Sequence, residues 1–322
     1  MAELPRATVI VCTRDRAAVL RTALQSLLAL DYPADRWEIL IVDNGSVDET
    51  PRIASKLAAE RPDRVRVVTE PRGGLSLSRN RGVREATGQV IAFADDDAYP
   101  DAGWLRALVA ALERHDAMVA GGPVEPIFTG AVPEWCTPVF FPYFAVWDEG
   151  SEPHFLRYSN YPRGNNMALR REVFERFGYF SPHLGRTGTS LLSCEETELC
   201  LRVERGGGRI VYAPEARMRH LTPMERITPE WLARRFFAQA RSEGILEWRH
   251  AGWRGLRSGW LRWYGMSRRG AARAAVSRAD HVLAQCLRRG FLGHSIAVLT
   301  APLTVPRYRP VEPTAAWRPR AG

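Results

Sequence analysis

Residues 90–99 read "VIAFADDDAY", a short apolar, β-prone run that ends in three consecutive carboxylates. Adjacent like charges repel, and burying them unpaired is costly, so such a cluster is either covered by water or faced by a cation. The same pattern of apolar run followed by polar punctuation recurs on both sides of it. "TVIVC" (8–12) precedes "AAVLRTALQSLLAL" (17–30), where Leu20, Leu24, Leu27 and Leu28 share one helical face. "WEILIV" (37–42) precedes "TPRIASKLAAE" (50–60), with Thr50 as N-cap and Pro51 at the first helical position. "VRVV" (65–68), a helix over 77–87, the run at 89–94, a helix over 101–115 and "AMVAGG" (117–122) continue the alternation. Strands that are continuous apolar runs between helices imply a doubly wound, mostly parallel α/β sheet covered on both faces. Ligands of such sheets bind beyond the carboxyl ends of the strands. Here those ends carry "TRDR", "DNGSVDE" and "DDD", so several acids aim at one crevice.

Residues 122–165 break the alternation with Pro and aromatic residues, including "PVFFPYFAVW". This stretch is an irregular or antiparallel excursion that either walls the crevice or packs between sub-sheets. Order returns with "RGNNMALRREVFERFGYF" (163–180), a helix at "EETELCLRVERGG" (195–207) with acids in its first turn, and a last strand at "RIVYAP" (209–214). The resulting division is an α/β half over 1–122 and a second half of the same domain over 123–225. A helical, basic, Trp-rich extension over 226–290 and a partly disordered, Pro-rich tail over 291–322 follow.

The 322 residues are 45% hydrophobic and 25% charged, as in an ordinary globular chain, with a net charge of +9. From Arg241 onward 15 arginines face four acids, an excess of eleven, which leaves the first 240 residues at −2. The basicity therefore belongs to the tail. Arginines number 44 against the single Lys56, a bias that gives individual arginines little weight. Cys12, Cys136, Cys194, Cys200 and Cys286 form no C-x-x-C pair, which argues against a disulfide framework or zinc knuckle and for buried thiols in a reducing cytoplasm. The first residues lack a signal-peptide pattern, and 291–305 is too short and interrupted to span a bilayer.

Asp95 and Asp97 alternate along an extended strand end, so both carboxylates can lie on one side. Such oxygen ligands suit Mg²⁺ or Mn²⁺, which completes its shell with water and substrate phosphate. A solvated turn is the alternative reading. Asp43 at the end of the second strand can accept hydrogen bonds from ribose or base, or can make an Asx turn with Asn44-Gly45. "GGLSLSRNRG" (73–82) sets Arg79 and Asn80 at a helix start, which favours anionic groups. Neither a P-loop nor a G-x-G-x-x-G follows a strand, which argues against those nucleotide-binding modes.

In order and spacing, "VIVCTRDRAAVLRTALQSLLA", "EILIVDNGSVDET", "GGLSLSRNRGVREATGQVIAFADDDAYPDAGWL", "RGNNMALRREVFERFGYF" and "CEETELCLRV" resemble the landmarks of family 2 glycosyltransferases of the GT-A fold, over roughly residues 7–245. The resemblance implies a metal-dependent, inverting transfer of a sugar from a UDP-, dTDP- or GDP-linked donor to an acceptor hydroxyl. It implies that Asp43 reads the base and that Thr13, Arg16, Arg79, Asp95 and Asp96 line the donor pocket. Gly164, Asn165 and Asn166 would form the loop beside the donor sugar and acceptor. Asp97 would be the principal metal ligand of the D-x-D element, with His220 closing the metal site. Glu196 would be the catalytic base, although the family pattern is Glu-Asp and this chain has Glu195-Glu196. A helix N-terminus that merely favours acids is the alternative for that pair. A sugar-nucleotide nucleotidyltransferase would want a Gly-rich loop after the first strand, and "CTRDRAA" has no Gly. A non-catalytic nucleotide-sugar-binding protein is the third reading.

In the tail, Trp253, Leu256, Trp260, Trp263 and Tyr264 recur near helical spacing among Arg254, Arg257, Arg262, Arg268 and Arg269. They either dock on the catalytic domain or a second subunit, or lie in a membrane interface on the inner face. No recognised module points to nucleic acid.

Overall fold

A computed structural model describes residues 3–309. Its first part is β1 (Ala7–Thr13), α1 (Ala17–Leu28), β2 (Trp37–Asp43), α2 (Thr50–Glu60), β3 (Val65–Thr69), α3 (Leu75–Glu85), β4 (Val90–Asp95), β5 (Ala98–Pro100), α4 (Trp104–Arg114) and β6 (Val119–Gly121). There follow β7 (Val124–Phe128), a 3-10 turn at Pro138–Phe144, β8 (His154–Phe155), β9 (Met167–Arg170), α5 (Glu172–Phe177) and α6 (Glu195–Arg205). Next come β10 (Ile210–Tyr212), β11 (Met218–Thr222), α7 (Pro229–Arg273) and α8 (Arg278–Thr304).

The main sheet has the order β3-β2-β1-β4-β9-β6-β10-β8. β3, β2, β1 and β4 are parallel, β9 runs antiparallel between β4 and β6, and β10 is parallel to β6. The apolar runs are buried on both faces because side chains alternate along each strand. Val9, Val11, Ile39 and Ile41 meet Leu20, Leu24, Trp104 and Leu108 on one side. Ile10, Leu40, Val42 and Phe93 meet Val83, Phe180 and Leu199 on the other. Each such side chain contributes about 1.5–3 kcal/mol when fully buried.

Register sets the site. Thr13 is opposite Asp43 and Cys12 opposite Asp95, so the parallel strands end at one level. A second sheet, β5-β11-β7, lies beyond that edge. It is mixed rather than purely antiparallel: β11 is antiparallel to β5 and parallel to β7. Its register puts His220 opposite Ala98, one residue after the aspartates.

The Pro- and aromatic-rich excursion walls the cleft and also packs against α7. Phe140 and Phe144 are buried, Phe144 against the Trp231 ring at 5.7 Å, while Val139, Pro142 and Tyr143 face the cleft. The five cysteines are unpaired, and all but the half-buried Cys12 are buried.

The tail is a helical hairpin, and the expected boundary at residue 290 falls inside α8. α7 bends at Gly252, which has φ +59°. Other glycines are points of close approach: a Cβ at Gly293 would lie 2.1 Å from the Phe237 carbonyl, and one at Gly290 would meet the Trp263 ring at 2.1 Å. Residues 305–309 are tied back, Trp248 Nε1 donating to the Val305 carbonyl (2.7 Å) and the Tyr308 N–H to that of Arg249 (2.9 Å). Of the tail expected to be partly disordered, 291–322, residues 291–304 are instead the second half of α8, and 310–322 lie outside the described residues.

Candidate active site

A cleft of about 790 Å³ opens at the carboxyl ends of β1 and β4. Each of the three aspartates on its floor is faced by a cation. Asp95 Oδ1 lies 3.6 Å from Arg79 Nη2, and Asp96 Oδ1 accepts from Arg16 Nε at 3.0 Å. Asp97 is met by Arg16, by Arg226 at 3.7 Å and by His220 Nε2 at 3.2 Å. Burial lifts the Asp96 carboxyl to about 6, Arg16 opposing and the Asp97 charge adding. Burial acts on Asp97 too, but the His220 hydrogen bond and the Arg16 and Arg226 charges hold it well below the usual carboxylate range.

Asp95, Asp97 and His220 each present one ligand atom, all within 4.8 Å of one another. The antiparallel β5–β11 pairing delivers the histidine, and the Leu221 N–H donates to the Asp97 carbonyl at 2.9 Å. Two carboxylate oxygens and an imidazole, with His220 Nδ1 buried and unpartnered, are a donor set that fits a divalent ion such as Mn²⁺ or Mg²⁺.

Across the cleft, the first turn of α6 carries Glu195 and Glu196. Glu195 is tied to Arg79 at 2.7 Å, and burial together with the Glu196 charge pushes its carboxyl up to about 7 against the pull of Arg79. The Glu196 side chain has no hydrogen bond or ion pair among the described residues, and its Oε2 is buried. A free carboxylate in a cleft can take a proton, whereas one fixed to an arginine is a positioning group. Glu198 is neither: fully buried, it binds Arg202 (2.7 Å), Arg249 (3.3 Å) and His250 (2.9 Å) and locks α6 to α7.

Thr13, Arg16, Arg79, Asp95, Asp96, Asp97, Gly164, Asn165, Glu196 and His220 are thus brought into one cleft. Asn165 lines it, and both of its amide atoms are buried and unpartnered among the described residues. The Gly164 carbonyl accepts from Arg79 at 3.0 Å, and a Cβ there would strike that guanidinium. Two expected donor contacts are not in the cleft wall. Asp43 is buried at the end of β2, its Oδ1 accepts from the Ser46 N–H at 3.3 Å, and Asn44 lines the cleft instead. The Asn166 amide is fully used, its oxygen by Trp104 Nε1 (2.7 Å) and its nitrogen by the Pro123 and Ala216 carbonyls. It is a structural staple.

The profile of the glycosyl transferase family 2 matches residues 8–178, the stretch that holds the aspartates and the Gly164 loop. The chain belongs to that family. Among curated proteins, this glycosyltransferase is 29% identical over 246 residues to the glucosyl-dolichyl phosphate glucuronosyltransferase of Haloferax volcanii, covering 75% of this chain and 77% of that one. It is 29% identical over 253 residues to the succinoglycan biosynthesis protein ExoM of Rhizobium meliloti, covering 78% and 77%. Among solved structures it resembles the mannosyltransferase PcManGT of Pyrobaculum calidifontis in complex with GDP-Man and Mn²⁺, with TM-score 0.61 and 20% identity over 92% of this chain and 88% of that one. It also resembles S. aureus TarS 1-349 in complex with UDP-GlcNAc, with TM-score 0.55 and 17% identity over 92% and 91%. The fold is GT-A.

No sequence pattern marks Arg163, Arg186, Arg226 and Arg235, which this glycosyltransferase places in the cleft. With 44 arginines, none of these stands out by type, and the basic helical extension carried no expected site residue, whereas α7 brings Arg235, Gln239 and Glu243 into the cleft. No helix of the described residues is long and apolar enough to cross a membrane.

Proposed function

We propose that this enzyme transfers a sugar, with inversion, from a UDP-, dTDP- or GDP-linked donor to an acceptor hydroxyl, with Mg²⁺ or Mn²⁺ at Asp95, Asp97 and His220. The observation that carries this is the pairing, in one cleft, of the Asp-Asp-His cluster with the unpaired carboxylate of Glu196. GDP-Man with Mn²⁺ in one fold neighbour and UDP-GlcNAc in another support the donor class.

A divalent ion at that cluster supplies charge stabilisation to the departing diphosphate. Arg16 and Arg226 add positive charge on the same side, and Arg79 keeps Asp95 and the Gly164 loop in place. Thr13 and Asn165 line the cleft where the nucleotide sugar would lie. Glu196 takes the proton as the acceptor oxygen bonds to the anomeric carbon and the bond to the diphosphate oxygen breaks. Attack from the face opposite the leaving group inverts that carbon. With Glu195 held by Arg79, no second carboxylate is needed as a nucleophile.

The test is thermal stability with UDP, dTDP or GDP, each with and without Mn²⁺ or Mg²⁺, for wild type and Asp97→Asn. A diphosphate at 100 times its dissociation constant stabilises by about 2.7 kcal/mol. The expected result is a metal-dependent shift with one base, lost in Asp97→Asn. Absence of any metal-dependent shift overturns the proposal.

The hairpin supports a cytoplasmic enzyme resting on an anionic membrane face. Leu292, Leu299 and Leu303 form an exposed stripe on α8, and Trp253 and Tyr264 are exposed on α7 beside Arg254, Arg257, Arg268 and Arg269. Among the described acids of α7 and α8, Glu230 at the start of α7 is exposed, whereas Glu243, Glu247 and Asp280 are not. Such a face complements acidic headgroups. Sedimentation with phosphatidylglycerol vesicles but not with phosphatidylcholine vesicles, lost in Leu299→Glu/Leu303→Glu, is expected. A dimer that the same substitutions dissociate would overturn it in favour of a second copy.

A further inference from the structure

The cleft arginines divide by what they face. Arg16 and Arg226 contact Asp97, and Arg79 bridges Asp95 and Glu195. Arg163 and Arg235 line the same cleft yet form no ion pair among the described residues. Among the described residues Arg163 donates no side-chain hydrogen bond; its guanidinium lies 5.7 Å from the Trp147 ring centroid, and its Nε is buried without a partner there. Arg235 reaches only the Leu191 carbonyl at 3.4 Å and Ser193 Oγ at 3.3 Å, and its Nε is likewise buried and unpartnered.

Glu196 on α6 is the carboxylate that acts on both arginines, alongside Cys194, which with Tyr143 outweighs it at Arg235; the aspartates at the strand ends are not among the causes. Burial pushes both guanidinium pKa values down, and Glu196 pulls the other way without touching either. Two cations against one free carboxylate leave this side of the cleft positive. Glu243, the other acid there, is taken by Arg262 at 2.8 Å and Trp263 Nε1 at 3.1 Å. Both side chains are half-buried, and a guanidinium in a cleft without a contact carboxylate is open to an anion supplied by a ligand. Asn165 lines the same cleft, and its amide is buried and unpartnered among the described residues.

We infer that Arg163 and Arg235 form a second anion subsite, on the Glu196 side of the cleft, for a carboxylate or phosphate carried by the acceptor or by the transferred sugar. The inference rests on the glycosyl-transfer reading, and it narrows the substrate to a charged saccharide. A planar guanidinium suits either oxyanion, and a charge-assisted contact in a partly dry cleft discriminates strongly against a neutral analogue.

The test compares binding of glucose, glucuronate and glucose 6-phosphate to the full chain with Mg²⁺ by saturation-transfer NMR, and of UDP-glucose and UDP-glucuronate by calorimetry. Wild type is expected to favour one charged member over its neutral counterpart by about tenfold or more, and Arg163→Gln and Arg235→Gln to reduce that ratio below about threefold. Preference among the free sugars assigns the charge to the acceptor; preference between the nucleotide sugars assigns it to the transferred sugar. Equal binding in both sets overturns the inference, and so does a preference that survives both substitutions. The metal-dependent nucleoside diphosphate shift, measured on the same variants, reports on the donor site separately, so loss of one reading is distinguishable from loss of the other.

Discussion

Arg79 Nη1 lies 2.7 Å from Glu195 Oε1, joining the start of α3 to the start of α6 across 116 positions of chain. The other nitrogen of the same guanidinium holds the Gly164 carbonyl at 3.0 Å and faces Asp95 at 3.6 Å. One buried side chain therefore connects the strand end, the Gly164 loop and the carboxylate next to Glu196.

Removing one partner of a buried pair leaves an uncompensated charge, so Arg79→Met is expected to cost about 3–5 kcal/mol in urea unfolding. Adding Glu195→Leu should recover much of that. A double-mutant cycle that is additive within about 0.5 kcal/mol would show that the pair is not coupled.

Glu196→Gln is expected to lower turnover about 10²–10⁴-fold while donor affinity stays within about threefold. Glu196→Asp should fall between wild type and Gln, since retracting the carboxylate by one methylene displaces it by about an ångström. Steady-state kinetics and donor titration on the three proteins check this. Full turnover in the Gln variant would remove Glu196 from the base position.

Asn166→Ala should destabilise the fold by roughly 3 kcal/mol, because it strands the Trp104 N–H and two buried carbonyls. The metal-dependent nucleotide shift should persist in the variant. Its loss without a loss of stability would give Asn166 a place in the site after all.

Acid should loosen the junction between α6 and α7. Burial works against the Glu198 charge, but the His250 hydrogen bond and the Arg202 and Arg249 charges hold its carboxyl at about 2, below its ordinary 4.5. A depressed carboxyl contributes stability that is present above pH 4.5 and lost as the pH falls toward 2, here on the order of 3 kcal/mol. The stability gap between wild type and Glu198→Gln, followed by denaturant unfolding, should narrow from pH 6 to pH 3. A gap that is constant with pH would contradict the assignment.

The sequence by itself determined the alternation of strands and helices, because a strand buried on both faces must be apolar throughout and its covering helices must repeat every three to four residues. It also determined where acids collect, since short-range chain order puts "DDD" at the end of β4 and "EE" at the start of α6. What the aspartates face was decided by tertiary structure alone. His220 and Arg226 arrive through the pairing of β11 with β5, a long-range register that no local pattern encodes. Asn165 and Asn166 are the same residue type side by side, yet one amide is free in the cleft and the other is consumed by Trp104 and two carbonyls. Only the surroundings separate them. The tail shows the same limit: the glycines of "WRHAGWRGLRSGW" weaken an isolated helix, but in the hairpin they let backbones and rings approach closely. α7 can then pack against the domain and bring Arg235, Gln239 and Glu243 into the cleft. Local sequence sets what each segment prefers, and the contacts between distant segments set which polar groups remain unpaired and therefore available for chemistry.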